Sequence, residues 1–338
     1  MIALSIVDAF TVRIIQVPDP IPYEDNVVIR VEAAPICGSD INVLYKTPGE
    51  KRYIPGHEVA GIVIAVDRPS TLQTNDRVCM VNPRFACGGC EMCQAGWSNY
   101  CTDSQFTYGF TGHGFQAQYA LVNERSLCRI PDWMSYEDAS LILDPVGTPY
   151  HAFKRMGTNR NHKVGVFGLG PMGLGAVSIG VFYGATVIAF DPNDYRRKLA
   201  KTLGANSVID PVIQDPYHEV LEVTKGYGLD HVLECSGTQE ALSVALDVVR
   251  PFGAISLIGE SEEALINPSE HFLRKEISLS GSTCFPMHDC SEIIELYAQG
   301  LDPRKIITHR HKLQDASLAY KTFNEGNTGK VILYNSFS

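Results

Sequence analysis

Apolar positions along the chain follow two different patterns, which divide it into two regions. Up to about Asp144, short apolar runs separated by Pro, Gly, Asp and Asn turns predict an all-β unit. From about Lys163, strand-like and helix-like runs alternate, which is typical of a parallel sheet with helices on both faces. The strands predicted in the first region are Val27–Ala33, Val59–Val66 and Gln116–Val122. Those predicted in the second are Val164–Phe167, Thr186–Phe190, Ser207–Ile209, His231–Glu234, Ala254–Ile258 and Ile277–Ser280, with helices at Tyr195–Leu203 and Gln239–Val249 among them.

The end of the chain does not continue this alternation. A helix near Ser291–Gln299 and a closing strand at Lys330–Tyr334 have no strand–helix–strand unit of their own, so we expect them to return to the first region. The sequence therefore predicts an α/β protein of two domains. One covers residues 1–147 and is completed by 287–338, and the other, a doubly wound parallel sheet, covers 148–286.

Composition and charge narrow the possible partners and the compartment. With 45% hydrophobic and 20% charged residues, the 338-residue chain has ordinary globular composition. Lys and Arg number 28 against 38 Asp and Glu, and no basic block occurs, which argues against a nucleic-acid or anionic-membrane partner. The uncharged stretch Val164–Phe190 is long enough to span a bilayer, but seven glycines and Pro171 interrupt it and favour two strands with a helix between them. The N-terminus does not have the pattern of a secretory signal, so we expect a cytoplasmic protein.

A glycine-rich run follows the first strand of the second region. It has the form G-x-G-x-x-G, lies between an apolar strand and an apolar helix, and reads Gly168-Leu169-Gly170-Pro171-Met172-Gly173. In this motif Gly168 permits the tight turn, Gly170 lets the backbone approach a pyrophosphate, and Gly173 lets the helix pack on the strand. The helix N-terminus then offers N–H groups and a positive dipole end to the phosphates. The run predicts a dinucleotide site, with a glycine-rich turn that binds no ligand as the alternative.

An acidic residue indicates which dinucleotide is bound. Asp191 follows the next predicted strand, about 20 residues after the glycines, where a carboxylate accepts hydrogen bonds from the adenosine ribose. A 2′-phosphate would meet like charge there, so NAD is favoured over NADP. Arg196 and Arg197 lie close in sequence and keep NADP open, and Arg196 is included among the candidate cofactor-binding residues.

Four of the ten cysteines lie within fifteen residues, separated by two, two and seven residues: Cys87, Cys90, Cys93 and Cys101. Four thiolates that close a tetrahedron around zinc leave no open position, which is typical of a structural site. An iron–sulfur cluster also takes four cysteines, but the last spacing fits neither common ferredoxin pattern. The spacing therefore predicts a structural zinc that folds the loop carrying it.

Three short segments carry further candidate ligands. They are Cys37-Gly-Ser39-Asp after a predicted strand, Gly56-His57-Glu58 about twenty residues later, and Asp144-Pro145 near the boundary of the two regions. From spacing alone the signal is weak, because a lone Cys or a lone His is more often a packing residue than a ligand.

In their order along the chain, these motifs resemble those of the zinc-dependent medium-chain dehydrogenases. The motifs are Cys37-Gly-Ser-Asp, Gly56-His-Glu-x-x-Gly61, the cysteine loop, Asp144-Pro-Val-Gly147 with His151, and the glycine-rich run. The sequence is most similar to the sorbitol (polyol) and threonine dehydrogenase branch, in which Glu follows the ligand His and an acid precedes Pro. The resemblance implies a GroES-like catalytic domain, a Rossmann domain, and a catalytic zinc held by Cys37, His57 and Glu58 with Asp144 as fourth or alternating ligand.

The resemblance also implies roles for neighbouring residues. Ser39 matches the family's first proton-relay hydroxyl, whereas the relay His falls at Asn42, which cannot titrate. Thr148 lies in a segment that touches nicotinamide in relatives. Tyr45 and His113 are candidates for the substrate pocket, with packing as an equal alternative. If Glu58 and Asp144 both stayed on the metal beside a thiolate, negative charge would be in excess, so we expect one carboxylate to exchange with water or substrate during turnover.

These features predict an oxidoreductase that transfers hydride from a secondary alcohol to NAD, with one catalytic and one structural zinc. The expected substrate is a polyol, sugar or cyclitol, and the alternative is L-threonine or another amino alcohol. A zinc-free reductase on the same fold and a non-catalytic dinucleotide-binding protein are further alternatives, which the cysteine loop and the Gly-His-Glu motif disfavour. The resemblance also implies a homodimer or homotetramer.

Overall fold

The computed structural model describes residues 1–335. Its strands, numbered β1 to β15 in chain order, are Ile2–Asp8, Thr11–Gln16, Asn26–Ile36, Ala60–Ala65, Arg77–Met80, Tyr119–Asn123, Leu127–Arg129, Lys163–Phe167, Thr186–Phe190, Ser207–Ile209, Leu229–Glu234, Val249–Leu257, Ser278–Gly281, Ile307–Lys312 and Lys330–Tyr334. The α-helices, numbered α1 to α9, are Glu91–Gln94, Tyr136–Ser140, Thr148–Met156, Pro171–Phe182, Asp194–Thr202, Pro216–Thr224, Gln239–Val248, Asp289–Ala298 and Ala316–Asn324. Short π-helical turns occur at Asp40–Tyr45, Ile142–Gly147 and Ser269–Leu273.

The chain divides into two compact units. The first comprises Met1–Leu143, Cys284–Glu295 and the chain from Ile307 onwards, and the second comprises Asp144–Thr283 and Leu296–Ile306. This differs from the predicted division at 147/148 and 286/287, above all because Leu296–Ile306 groups with the second unit. The physical reason is local: the turn at Arg304–Ile306 packs against α4 and α5, and Lys305 Nζ donates to the Thr202 carbonyl at 3.4 Å.

The first unit is built on a seven-stranded sheet in the order β14-β15-β3-β4-β5-β7, with β6 also paired to β3. The long strand β3 is buried along almost its whole length, because β4, β6 and β15 pair with it in antiparallel fashion. β1 and β2 form a separate hairpin. Apolar side chains of β1, the end of β3, β15 and α9 make one core, which includes Leu4, Ile36, Tyr320, Phe323 and Leu333.

The second unit is a parallel sheet in the order β10-β9-β8-β11-β12-β13. The chain builds this sheet in two halves that start side by side: β8, β9 and β10 extend toward one edge, and β11, β12 and β13 extend toward the other. This is the strand order of a Rossmann sheet. Strand β8 is apolar and almost fully buried, because helices cover both faces of such a sheet. Helix α4 is apolar on all sides and buries nine of its twelve residues.

The six strands predicted for the second region correspond to β8–β13, and the predicted closing strand is β15. The uncharged stretch Val164–Phe190 forms β8, α4 and β9, as its glycines indicated. Strands β1, β2, β5, β7 and β14 were missed, as were helices α1, α2, α3 and α9. β14 was missed because it is an edge strand with mostly polar side chains: its sequence, ITHRHK, contains no apolar run. Within residues 1–335, no helix combines the length and the apolar character needed to cross a membrane.

Candidate active site

The four cysteines of the loop come together as their spacing predicted. One sulfur atom from each of Cys87, Cys90, Cys93 and Cys101 lies within 4.8 Å of all the others. Backbone N–H groups of the loop point at these sulfurs: Cys87 donates to Cys101 Sγ at 3.4 Å, and Gly89 and Cys90 donate to Cys87 Sγ at 3.4 and 3.3 Å. Such donors stabilise thiolates, so the loop backbone itself prepares the cluster for a cation.

The ionisation of these thiols tests whether zinc fits them. Backbone hydrogen bonds from Cys93 and Thr102 lower the pKa of Cys90 to about 6. Burial, together with the adjacent thiols of Cys90 and Cys101, raises the pKa of Cys93 to about 12. Four thiols this close oppose one another's ionisation unless a cation balances them, and a tetrahedral zinc ion supplies that balance. The donor set therefore fits a structural zinc.

The cysteine loop is attached to its own unit through a later segment of the chain. Met287 N–H donates to the Gly96 carbonyl at 3.2 Å, and the His288 ring packs edge-on against Trp97 with centroids 6.4 Å apart. Gly96 has a φ of 84°, which favours glycine at this contact. A loop folded by a metal thus has a defined docking position against the residues that precede α8.

The second set of predicted ligands also comes together. One ligand atom from each of Cys37, His57, Glu58 and Asp144 lies within 4.8 Å of all the others. Cys37, His57 and Glu58 are buried and Asp144 is partly exposed. A thiol, an imidazole and two carboxylates form a donor set that suits zinc. A catalytic zinc site keeps one position open, so one of these four ligands would have to exchange with water or substrate. The donor set therefore fits the catalytic zinc that the resemblance implied.

Local backbone geometry explains how these side chains are placed. Cys37 directly follows β3, and its N–H donates to Asp40 Oδ2 at 2.9 Å, which closes the turn into the π-helical segment Asp40–Tyr45. His57 follows Gly56, whose φ is 89°. A Cβ at Gly114 would lie 2.0 Å from the Gly56 carbonyl oxygen, so these two backbones approach closely enough to require glycine. Asp144 lies in a π-helical turn that contains Pro145, a distortion frequent at functional sites.

Asp40 is a candidate functional residue that the sequence motif did not reveal. Its side chain is completely buried, and its Oδ1 lies 3.4 Å from His57 Nδ1, while His57 Nε2 lies 3.9 Å from Glu58 Oε1. A carboxylate behind a metal-binding histidine orients the ring and increases its basicity. The Asp in Cys37-Gly-Ser39-Asp40 was visible in the sequence, but only the fold shows that it faces His57.

Lys330 is a second such residue. It lies 272 positions after Glu58 in sequence, yet its Nζ lies 2.5 Å from Glu58 Oε1, and both side chains are completely buried. A lysine at the start of the last strand carried no signal of this kind in the sequence.

The remaining pocket candidates fall in different environments. Ser39 is partly exposed beside Cys37, and Asn42 is exposed and accepts a hydrogen bond from Lys46 Nζ at 3.2 Å. Tyr45 is buried in the apolar core, with its ring 5.1 Å from that of Tyr320, which agrees with the packing alternative. His113 Nδ1 accepts from Ile54 N–H at 3.2 Å, Thr148 begins α3 and is buried, and His151 is buried one turn later.

The glycine-rich run has the geometry that a dinucleotide loop needs. Gly168 has a φ of 83°, and α4 begins directly after Gly170. A Cβ on Gly173 would lie 1.8 Å from the Gly168 carbonyl oxygen, whereas nothing lies within 4 Å of one on Gly170. Gly173 is therefore required by packing, and Gly170 leaves space at the helix N-terminus beside Pro171 and Met172.

Asp191 is joined to this loop directly. Its Oδ2 accepts from Leu169 N–H at 2.6 Å and its Oδ1 from Asn193 N–H at 2.7 Å. The two neighbouring arginines differ: Arg197 pairs with Asp210 at 3.0 Å and donates to the Asp191 carbonyl at 2.7 Å. Arg196 Nε is buried and has no hydrogen-bond partner among residues 1–335. Arg197 is thus held by contacts within the second unit, whereas Arg196 keeps an Nε–H donor that no described residue accepts.

The turn after β11 belongs to the same neighbourhood and was missed by the sequence analysis. The Cα of Ser236 lies 2.8 Å from the position that a Cβ on Gly168 would take. The Glu234 carboxylate holds this turn by accepting from the N–H groups of Ser236 and Gly237 at 2.8 and 3.1 Å. Burial raises the pKa of Glu234.

Comparison with known proteins identifies the family to which both regions of the chain are similar. Residues 23–132 match the family model of the alcohol dehydrogenase GroES-like domain, and residues 171–299 match that of zinc-binding dehydrogenases. Sorbitol dehydrogenase of Bacillus subtilis (strain 168) is 33% identical, over 90% of this chain and 88% of its own. L-Threonine 3-dehydrogenase of Pyrococcus abyssi (strain GE5 / Orsay) is 32% identical, over 96% of this chain and 95% of its own.

A solved structure shows the same fold. An alcohol dehydrogenase of E. coli CFT073, complexed with NADH, superposes with a TM-score of 0.87 at 27% identity and covers 99% of each chain. The chain therefore belongs to the zinc-type medium-chain alcohol dehydrogenases, enzymes that act on CH–OH donors. The predicted pairing of a GroES-like unit with a Rossmann sheet is confirmed.

Proposed function

We propose that this enzyme oxidises a secondary alcohol of a polyhydroxylated substrate with NAD+, at a zinc ion held by Cys37, His57, Glu58 and Asp144. The observation that carries the proposal is the approach of these four ligand atoms to within 4.8 Å of one another, in a chain that also has a complete dinucleotide loop. When bound, such a zinc ion acts as a Lewis acid toward the substrate oxygen.

The chain's own residues position the reacting groups. Asp40 faces His57 Nδ1 and orients the ring toward the other ligands. To Ser39, two residues from Cys37, we assign the first step of the proton relay: its Oγ accepts the proton of the substrate hydroxyl while the serine's own proton passes on. Asn42 can donate and accept hydrogen bonds but cannot take up the proton, so the proton continues through water or a ribose hydroxyl rather than through this side chain. Thr148 at the start of α3 is the residue we assign to the nicotinamide.

The cofactor proposal rests on Asp191. Its carboxylate is held by Leu169 N–H, which fixes it beside the loop where the adenosine ribose binds in this fold. A 2′-phosphate would bring like charge to this carboxylate, so NAD is favoured over NADP, and the nearby cationic Arg196 is the residue that keeps NADP as the alternative. Asp191→Asn keeps an acceptor for Leu169 N–H and removes the charge. We expect it to raise KM for NAD+ about tenfold and to leave KM for NADP+ unchanged or lower.

A direct assay tests the activity. NAD+ reduction is followed at the nicotinamide absorbance with sorbitol, xylitol, a cyclitol, aldoses, L-threonine and 2-propanol, each with NADP+ and chelator controls. Chelator-sensitive turnover on a polyhydroxylated substrate supports the proposal. No turnover on any polyhydroxylated substrate, by protein that carries zinc and binds NAD+, would refute it.

L-Threonine is the second candidate substrate. The similarity to a threonine 3-dehydrogenase, as close as that to a sorbitol dehydrogenase, favours it, as does the Asp144-Pro-x-Gly147 motif. An amino alcohol would need a carboxylate for its ammonium group and a cation for its carboxylate, whereas a polyol needs neutral polar groups. Preference for threonine over sorbitol by more than tenfold in kcat/KM would select this alternative.

We also propose a homodimer or homotetramer. The support is the family resemblance together with the edge strand β13, which pairs only with β12 among the described strands and therefore has one open backbone edge. Light scattering coupled to size-exclusion chromatography tests this directly, because one chain has a mass of 37.2 kDa.

For the compartment we propose the cytoplasm. All ten cysteines are free thiols in the structure, and both clusters need reduced thiolates to hold zinc. Fractionation of cells that produce the untagged chain tests this proposal.

A further inference from the structure

A polar pair lies inside the apolar core of the first unit. Tyr320 of α9 is completely buried, and its hydroxyl group donates to Gln116 Oε1 at 2.7 Å, although the two residues are 204 positions apart. Gln116 is completely buried as well. An unpaired hydroxyl or amide in such surroundings would be costly, so the hydrogen bond fixes the direction of both side chains.

Gln116 shapes the backbone from which His57 extends. The N–H groups of residues 114–116 donate to the carbonyls of residues 54–56 at 2.7 to 3.1 Å. A Cβ on Gly56 would lie 2.6 Å from Gln116 Cγ, so the Gln116 side chain lies directly against Gly56. His57 is the next residue along the chain. The position of the Gln116 side chain therefore determines how closely this backbone can approach the core.

Tyr320 also contacts the segment that carries Asp40. Its ring centroid lies 5.1 Å from that of Tyr45, the last residue of the π-helical turn that begins at Asp40. Burial and the Asp40 carboxylate raise the pKa of the Tyr320 phenol well above its usual value, so the hydroxyl group keeps its proton and remains a donor for Gln116. One side chain of α9 is thus in contact with both segments.

These two segments meet at the candidate zinc site. Asp40 Oδ1 lies 3.4 Å from His57 Nδ1, and this approach orients the ring of a candidate zinc ligand. We propose that Tyr320 is a positioning residue that holds the His57 ring in register with the Asp40 carboxylate. It acts through the hydrogen bond to Gln116 on one side and through the ring of Tyr45 on the other. This inference rests on the proposed function, since it assumes that His57 binds zinc.

Metal binding tests the proposal without any alcohol substrate. Tyr320→Phe keeps the ring contact with Tyr45 and removes the hydrogen bond to Gln116. Chelator competition on zinc-loaded protein measures the affinity of the catalytic cluster, and the visible absorption of cobalt-substituted protein reports the geometry of its ligands. We expect Tyr320→Phe to weaken zinc binding at this cluster about tenfold, the lower end of the range for residues that support a metal ligand without touching the metal. The cobalt spectrum should change, and the cysteine-loop zinc should stay bound.

A double variant separates positioning from a general loss of stability. Tyr320→Phe leaves Gln116 Oε1 unpaired and should lower the unfolding temperature by roughly 2–4 °C. Combining it with Gln116→Leu removes both polar groups, which should restore most of the stability but not the zinc affinity.

A matched control and a coupled variant complete the test. Tyr334→Phe removes a hydroxyl group that donates to Glu137 Oε1 in the same unit, so it should lower the unfolding temperature and leave zinc affinity and the cobalt spectrum unchanged. In an Asp40→Asn background the effect of Tyr320→Phe on zinc affinity should shrink to less than about twofold, because Tyr320 acts on the approach of His57 to this carboxylate.

The outcomes discriminate between the proposals. Unchanged zinc affinity and an unchanged cobalt spectrum in Tyr320→Phe would overturn the role of Tyr320. So would a double variant that regains zinc affinity together with stability, or an equal loss of affinity in the Asp40→Asn background. Wild-type protein that holds two zinc ions per chain but oxidises no alcohol would contradict the proposed function alone, and the zinc measurements would still decide the role of Tyr320. Wild-type protein that holds only the cysteine-loop zinc would overturn both.

Discussion

The two clusters of candidate zinc ligands in this enzyme are assembled in opposite ways. The cysteine loop collects its four sulfurs from fifteen consecutive residues, three of them only half-buried, and backbone N–H groups of the same loop support them. The catalytic cluster collects its ligands from positions 37 to 144, three of them buried, and side chains from other elements support them. The cysteine cluster is therefore formed by one segment of the chain, whereas the catalytic cluster depends on side chains from segments far apart in sequence.

This difference indicates what each site needs in order to work. A closed four-thiolate site in a loop depends on the metal for its fold and tolerates changes outside the ligands. A site with two carboxylates, a thiolate and an imidazole must have its charges balanced and its histidine oriented by neighbours, which are Lys330 and Asp40. The catalytic site should thus be sensitive to substitutions that never touch the metal.

The largest expected effect comes from removing a ligand of the catalytic cluster. Cys37→Ser should lower kcat/KM by about 10³-fold or more, because zinc contributes several kcal/mol to the reaction and each 1.36 kcal/mol corresponds to a factor of ten. Metal analysis should show one zinc per chain instead of two. Cys128→Ser is the matched control, since Cys128 lies on β7, opposite Cys79 of β5, and belongs to neither cluster. Near-normal activity of Cys37→Ser would contradict the assignment of this cluster.

Removing a ligand of the cysteine loop should affect stability before catalysis. We expect Cys101→Ser to lose one zinc and to lower the unfolding temperature by roughly 5–10 °C, because 1 kcal/mol corresponds to about 2–4 °C in a domain of 150–250 residues. Differential scanning calorimetry with metal analysis measures both quantities, and kcat at low temperature should stay within a few-fold of wild type. If kcat fell as far as in Cys37→Ser, the two sites would not be separable in the way proposed here.

A substitution one step away from the catalytic metal should have an intermediate effect. Asp40→Asn keeps the size of the side chain and an acceptor for Cys37 N–H, but removes the charge that faces His57. We expect zinc affinity and kcat/KM to fall about 10- to 100-fold with little change in fold, measured by zinc competition and steady-state kinetics. An unchanged zinc affinity would show that the His57 ring binds zinc equally well without a charged carboxylate next to it.

The corresponding substitution beside the cysteine loop should have almost no effect. Asp103 Oδ2 lies 3.6 Å from Cys87 Sγ, but Asp103 is exposed and the loop backbone supplies the main support. We expect Asp103→Asn to change the unfolding temperature by less than about 1 °C and to retain both zinc ions, because exposed charge interactions contribute little. A shift as large as that of Cys101→Ser would mean that the loop depends on side chains in the same way as the catalytic cluster.

The sequence by itself determined the features whose chemistry is local. The spacing of Cys87, Cys90, Cys93 and Cys101 was sufficient to predict a cluster, because a chain of fifteen residues can bring these sulfurs together without help from other elements. The glycine-rich run and Asp191 were equally readable, since the strand, turn and helix that use them are consecutive. The alternation of strands and helices gave all six strands of the Rossmann sheet, because buried parallel strands are short continuous apolar runs.

Only the tertiary structure decided the rest. Polar edge strand β14 and the grouping of Leu296–Ile306 with the second unit depend on partners that lie far away in sequence. The same holds for the catalytic site: the resemblance supplied its ligands, but Asp40 behind His57 and Lys330 beside Glu58 became visible only in the fold. Pairing between strands β3 and β15 connects residues nearly 300 positions apart, and no local pattern encodes which charge a strand will carry into the interior.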